Sequence, residues 1–264
     1  MKNFKKISVI IPARNEEALI AMTLDAVLVA VEFLAGGMRG DVHLDDTPVE
    51  VIVVDNMSVD NTAREVHRYA QRYGVRLMSC LRLKTPCARN EGARNACGEI
   101  LCFVDADTLV PRDALSRIIR LCGDRPYVAG ITRLASLEGG LHAWFWWTFW
   151  DYVRRLPLPR AKAMPAFMFC TRRVFDEFGP FDEDVTIGEE WPILAGFYRR
   201  YPKDFVYDRR LTALSSSRRM ELRRFGYLRT FFKYVWAVLF VQGRRNYSDD
   251  IRHPLLKESA THLG

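Results

Sequence analysis

The chain has no Cys-x-x-Cys pair and no cysteine–histidine spacing suited to zinc, although it carries six cysteines: Cys80, Cys87, Cys97, Cys102, Cys122 and Cys170. Neither a metal ribbon nor a disulfide framework is indicated, and cysteines set in apolar runs read as small, reduced core residues. No apolar window approaches the ~18 residues that cross a bilayer; the longest are Trp144 to Trp150 and Tyr234 to Val241. The apolar start behind Lys2, Lys5 and Lys6 is cut by Pro12, Arg14, Asn15, Glu16 and Glu17 before a secretory segment could form, so a cytoplasmic protein is expected. No Gly-x-Gly-x-x-Gly follows the first apolar run, which disfavours a Rossmann dehydrogenase. Internal repeats and low-complexity linkers are also missing.

What is present is globular. The 264 residues are 49% hydrophobic and 27% charged, enough apolar material for a large core and too little net charge for disorder. The formal charge of +7 is unevenly placed: residues 199–264 hold 15 basic and 6 acidic side chains, and the rest of the chain is slightly acidic. A basic C-terminal region suits nucleic acid, an anionic membrane surface or a phosphorylated ligand. Nucleic acid is disfavoured, because the aromatics there form one continuous apolar run rather than spaced stacking platforms.

Apolar strands alternate with helices along most of the chain. Ile7 to Ile11, Val51 to Val54, Val75 to Cys80 and Ile100 to Val104 read as strands, with helices over Glu16 to Phe33, Asn61 to Tyr73, Arg89 to Cys97 and Pro111 to Leu121. This pattern predicts an α/β fold, a Rossmann-like, mostly parallel sheet flanked by helices. Tyr127 to Leu134 and Met164 to Cys170 read as further strands, the latter leading into a helix with Thr171 as N-cap. Gly140 to Arg155 reads as an aromatic helix, and Phe225 to Gln242 as a C-terminal one with arginines on both flanks.

Ligands of such sheets bind beyond the carboxyl ends of the strands. There the sequence places Pro12-Ala13-Arg14-Asn15-Glu16, Asp55-Asn56-Met57-Ser58 and Asp105-Ala106-Asp107-Thr108. Carboxylates at i and i+2, as in Asp105 and Asp107, can share one hard divalent cation. Asp55 either caps the following helix or accepts hydrogen bonds from a ligand. Arg89 can neutralise phosphate. Glu189 and Glu190 precede an apolar helix, where a partly buried carboxylate can act as general base or the acids merely favour a helix start. Ser215-Ser216-Ser217-Arg218-Arg219 can clamp a diphosphate or form a solvated basic loop. The aromatic helix from Phe231 to Val241 suits either the headgroup region of a membrane or a packed interior.

In order and spacing, Ser8 to Glu17, Val53 to Thr62, Ala88 to Gly98, Phe103 to Thr108 and Gly188 to Trp191 together resemble the family 2 glycosyltransferases, over residues 7 to about 200. The resemblance implies a glycosyltransferase A type fold with a C-terminal helical extension: a nucleotide-sugar-binding and catalytic domain over residues 1–212 and a basic, aromatic extension over 213–264. It implies that Pro12, Ala13, Arg14, Asn15, Glu16, Asp55, Asn56, Arg89, Asp105 and Ala106 hold the nucleotide sugar, with Asp55 on the base and help from Arg218 or Arg219. It further implies Mn2+ or Mg2+ on Asp107 and Asp105, and a general base at Glu190 or Glu189 where the family usually has Asp. No Gln-x-x-Arg-Trp motif of the processive members follows, so transfer of one sugar is expected, with inversion, from a UDP- or GDP-linked donor. The expected acceptor is a glycan or lipid, with peripheral membrane contact through the aromatics. The alternatives are a nucleotidyltransferase, whose Gly-rich loop is not found after the first strand, and a non-catalytic nucleotide-binding module.

Overall fold

The computed structural model describes residues 6–36, 43–163, 165–185, 188–218 and 226–240. Strand β1 (Ile7–Ala13) is buried along its whole length and lies between β2 (Val49–Asp55) and β4 (Ile100–Val104), parallel to both. β3 (Arg76–Ser79) extends the parallel half beyond β2. Helices α1 (Ile20–Leu34), α2 (Thr62–Tyr73) and α3 (Thr85–Asn95) make the crossovers. α1 starts later than its apolar spacing suggests, because the Leu19 and Ile20 amides turn back to the Glu16 carbonyl at 3.0 and 2.9 Å. α3 starts earlier than expected, at Thr85, where Pro86 supplies the fixed φ of a first helical turn. It packs closely on β1: a Cβ on Gly92 would stand 2.4 Å from Ile10 Cγ2, so only glycine fits.

The second half of the sheet adds antiparallel strands to the mostly parallel pattern expected. The chain continues through β5 (Thr108–Leu109), α4 (Ala114–Cys122), β6 (Ala129–Ser136), α5 (Leu141–Arg155), β7 (Phe167–Thr171), α6 (Arg172–Phe178), α7 (Trp191–Arg200) and β8 (Phe205–Ser215). The eight strands lie in the order β3-β2-β1-β4-β7-β6-β8-β5. β7 is antiparallel to both β4 and β6, β5 is antiparallel to β8, and β6 and β8 are parallel, so the sheet is mixed. β7 is wholly buried, and a strand covered on both faces reads as the same apolar run whichever way it points. β8, a strand the sequence reading does not assign, carries Asp208, Arg209 and Arg210 where a bulge interrupts its pairing with β6. It continues to Ser215, so the expected boundary between 212 and 213 falls inside a strand.

Two apolar layers cover the sheet. Val9 and Ile11 of β1 face one, with α1 and α4; Ile10 faces the other, with α3 and α7. Five of the six cysteines are buried and Cys97 is exposed; all are free. Thr171 precedes α6 but spends its hydroxyl on the Pro126 carbonyl at 2.6 Å instead of capping. A last helix, α8 (Gly226–Phe240), lies against α5 through ring contacts, Phe149 to Phe231 at 5.0 Å and Trp150 to Tyr234 at 6.0 Å. Of the arginines expected to flank it, Arg219, Arg223, Arg224, Arg244 and Arg245 lie outside the described residues. Among the described residues no helix is long and apolar enough to cross a membrane.

Candidate active site

The carboxyl ends of β1, β2, β4, β6 and β8 and the start of β7 meet at one rim, around a cavity of about 750 Å³. At one end of it the turns after β1 and β2 are latched together. The Asn15 amide donates to the Ser58 hydroxyl at 3.0 Å and the Val59 amide to the Asn15 side-chain oxygen at 2.9 Å. The Glu16 amide reaches the Thr62 hydroxyl at 2.8 Å, and Glu17 accepts from the Asn61 backbone and side chain at 2.9 and 3.0 Å. Asn15 and Met57 take left-handed φ values of 54° and 56°, a strain these cross-turn bonds hold in place.

Asp55 does not cap α2. Asn61 is the N-cap residue, and the carboxylate at the helix start is that of Asp60, one residue earlier, accepting from the Thr62 amide at 3.0 Å and its hydroxyl at 2.5 Å. Among the described residues, the Asp55 carboxylate takes one long bond, from the Ser58 amide at 3.4 Å, and its Oδ1 is buried with no partner, as is Asn56 Oδ1. Buried acceptors are rarely left so, and two side by side at the foot of a cleft call for donors from a ligand.

Arg89 organises the middle of the cavity. Its guanidinium donates to Asp105 at 2.7 Å and to Glu189 at 3.0 Å and lies 5.3 Å from the Phe181 ring centre. Despite its burial, the carboxylates of Asp105, Glu189 and Glu190 hold it more firmly protonated than a free arginine. Glu190, the residue before α7, is 8% exposed. Burial, then the neighbouring Glu189 charge, pushes its carboxyl up to about 8. The preceding Gly188 has φ +85°, and a Cβ there would stand 2.4 Å from the Trp191 ring, so the turn that delivers Glu190 requires glycine.

The far wall comes from α5 and α8: Trp146, Trp147, Trp150 and Arg154, with Thr230 and Tyr234 facing them. Residues 215–218 run between the two ends. The Ser216 amide donates to the Asp107 carbonyl at 3.0 Å, Trp147 Nε1 to the Ser217 hydroxyl at 3.2 Å, and Arg218 pairs with the Glu16 carboxylate.

The glycosyl transferase family 2 model matches residues 8–177 of this chain. The chain belongs to that family. Its fold is the glycosyltransferase A type of its structural neighbours, with the sheet mixed as described. The 4,4'-diaponeurosporenoate glycosyltransferase of Staphylococcus aureus is 31% identical over 124 residues, 44% of this chain and 28% of that protein. The chain thus spans little more than a quarter, 27–28%, of the length of the curated relatives it matches. Among solved structures, glucosyl-3-phosphoglycerate synthase of Mycobacterium tuberculosis, in complex with Mn2+, UDP and phosphoglyceric acid, superposes with a TM-score of 0.58 at 17% identity, covering 91% of this chain and 80% of that one. A mannosyltransferase of Pyrobaculum calidifontis in complex with GDP-Man and Mn2+ gives 0.57 at 22% identity, over 81% and 58%.

Of the family residues expected from sequence, Pro12, Ala13, Arg14, Asn15, Glu16, Asn56, Arg89, Asp105, Ala106, Asp107, Glu189 and Glu190 all line the cavity. Asp55 lies beneath Asn56, and Arg218 reaches the cavity edge at Glu16. Arg219 is outside the described residues. Two expectations change in detail: the Asn15 carboxamide is committed to Val59, and one Asp105 oxygen is committed to Arg89. Arg154 and Tyr234 went unrecognised in the sequence. The signal was an arginine on the buried stripe of α5, at i+4 from Trp150 and i+8 from Trp146.

No group of three or more His, Cys, Asp or Glu suited to a metal occurs among the described residues. Asp105 and Asp107 supply two hard oxygen donors at the cavity wall. That donor set does not form a closed protein cage; it fits Mn2+ or Mg2+ held by one or two carboxylates with the remaining positions filled by substrate phosphates and water.

Proposed function

We propose that this family 2 glycosyltransferase moves a single sugar from a nucleoside diphosphate sugar, UDP- or GDP-linked, to an acceptor hydroxyl, with inversion at the anomeric carbon. The observation that carries this reading is the buried Glu190 carboxylate, which shares one cavity with the Asp105–Asp107 pair and lies across it from the latched nucleoside end.

Asp55 Oδ1 and Asn56 Oδ1 accept from the N–H groups of the base, and the Pro12 to Glu16 turn holds the nucleoside between the strands. Asp107 and Asp105 would hold the cation, which would offset the negative charge on the leaving diphosphate. Arg14, which lines the cavity, and Arg218, which reaches its edge at Glu16, add positive charge there. Glu189 is committed to Arg89 at 3.0 Å, whereas no cation among the described residues forms an ion pair with Glu190, so Glu190 is assigned as the base. As the acceptor oxygen attacks the anomeric carbon and the carbon–diphosphate bond breaks on the opposite face, the acceptor's proton passes to Glu190. A carboxyl raised to about 8 is basic enough to take it. The exposed aromatic rings of α5 and α8, Trp144, Phe145, Phe232 and Trp236 among them, support a lipid-linked acceptor met at a membrane surface.

Thermal unfolding with UDP, GDP, CDP and dTDP, each with and without Mn2+, on wild type and Asp107→Asn, tests the donor half. One base should raise the midpoint in a Mn2+-dependent way by roughly 5–10 °C at ~100 times its dissociation constant, and the variant should lose that rise. A folded protein that responds to none of them is not a transferase of this kind.

A further inference from the structure

Next to Arg89 on α3 stands Asn90, which is 1% exposed, lies outside the cavity lining and grips a stretch of chain 91 residues later. Its Oδ1 accepts from the Phe181 amide at 2.9 Å, and its Nδ2 donates to the Phe181 carbonyl at 3.0 Å and to the Glu183 carboxylate at 2.9 Å. Phe181 is buried and belongs to no helix or strand. Buried backbone groups outside regular structure need partners, and here one carboxamide answers both the amide and the carbonyl, as a neighbouring strand would. The Phe181 ring packs on Phe103 of β4 with centroids 4.8 Å apart, and the Arg89 guanidinium lies over its other side.

Phe181 is joined to the catalytic turn by one further bond. The Asp182 amide donates to the Glu189 carbonyl at 2.9 Å, so where Phe181 stands sets where the Glu189 backbone stands, and Glu190 follows it. Arg89 meanwhile holds the Glu189 carboxylate at 3.0 Å. Adjacent residues of one helix thus hold both ends of the segment that delivers Glu190, Arg89 from inside the cavity and Asn90 from behind it. α3 is a firm base for this. Gly92 seats it on Ile10, and Arg172 donates to the Ala93, Ala96 and Gly98 carbonyls at its C-terminal end, at 2.9, 2.7 and 3.2 Å.

Resting on the assignment of Glu190 as the base, we propose that Asn90 is a positioning residue for it: by bracketing the backbone of Phe181, Asn90 fixes where the Glu190 carboxylate stands in the cavity. Alanine at this position leaves the Phe181 amide and carbonyl buried without partners, and the segment recovers them only by moving. The latched turns after β1 and β2 and the Asp105–Asp107 pair are not held by Asn90 and stay in place. Misplacing a reacting group by about 1 Å costs on the order of a hundredfold in rate, so the loss falls on the chemical step and spares donor binding.

Two measurements on the full chain test this. The first is hydrolysis of UDP-glucose or GDP-mannose with Mn2+, water serving as acceptor, with kcat counted per nucleotide-binding site by calorimetric titration of UDP or GDP. Asn90→Ala should lower kcat roughly 10–100-fold, with the donor KM within about twofold of wild type and the nucleotide-induced thermal shift retained. The second needs no substrate. Around Glu190 the charged and titratable groups are Glu189, Arg89, Asp105 and Tyr234. Glu190→Gln should gain stability relative to its parent as pH rises from about 5 to about 9, and in the Asn90→Ala background, where the carboxyl reaches water, that gain should flatten. A merely structural Asn90 lowers both curves alike at every pH and leaves the difference untouched. If Asn90→Ala does not fold, Asn90→Asp takes its place with the same split expected, since it keeps the shape and the acceptor for the Phe181 amide but loses both donors. The stability comparison decides where wild-type hydrolysis is too slow to measure, and turnover decides where the two differ. An unchanged kcat per site, a raised KM at constant kcat, or loss of the nucleotide shift in the Asn90 variant overturns the proposal. Wild-type turnover by Glu190→Gln instead removes the base assignment, and the proposal falls with it.

Discussion

The two ends of the cavity are built by different means. At the β1–β2 end, backbone and short polar side chains of neighbouring turns are bonded to one another in fixed directions: Asn15 to Ser58 and Val59, Glu16 to Thr62, Glu17 to Asn61. At the α5–α8 end, the wall is largely ring against ring, with centroids 5.0–6.4 Å apart. Hydrogen bonds fix where a ligand's polar atoms must sit, whereas aromatic faces accept any apolar shape of the right size. On the proposed function, the first end would read the nucleotide strictly and the second would read the acceptor tolerantly, with Glu190 between them.

That contrast can be broken most severely at its midpoint. Glu190→Gln should lower kcat by roughly 10²–10⁴-fold while the nucleotide-induced shift persists; a rate near wild type would remove Glu190 from the role of base. In the wild type kcat/KM should rise with pH as Glu190 ionises near 8. The stability sign runs the other way. The folded state keeps a proton that the unfolded chain releases from about 4.5 upward, so stability present below 4.5 is lost as pH rises through 8. Glu190→Gln removes that loss, and its unfolding midpoint should overtake the wild type's at alkaline pH.

The next effect tests the ion pairs that join the two ends. Arg89→Met leaves Asp105, Glu189 and Glu190 facing one another without their cation, which should cost about 3 kcal/mol in urea unfolding. A loss under about 1 kcal/mol would mean that the bridge is a surface-like pair of little structural weight. The smallest effect sharpens the tolerant end: vesicles with anionic lipid should bind the chain severalfold better than neutral ones, with the margin shrinking in high salt. Equal binding would leave the exposed rings of α5 and α8 with a purely apolar role.

The strict end was legible because its chemistry is local. Buried strands ending abruptly in Pro12, Asp55 and Asp105 announce a sheet rim, and parallel neighbours bring those three ends together without further information. The tolerant end was not, because it depends on contacts across long sequence separations. Nothing near Tyr234 says that its ring will meet Trp146 and Trp150, more than eighty residues earlier. Arg154 was hidden among a helix's other charges, although its place on the buried stripe is visible once the helix phase is known. The direction of β7 was unreadable for a similar reason: Phe167 to Thr171 looks alike to both neighbours from either end.

The latch between the β1 and β2 turns has a thermodynamic consequence. Loops that close over a ligand lose conformational freedom at the moment of binding, and the loss weakens affinity. Here the left-handed Asn15 and its partners are held by hydrogen bonds within the protein itself. The ordering cost is borne at folding, and nucleotide association at this end should carry a small entropic penalty from the protein.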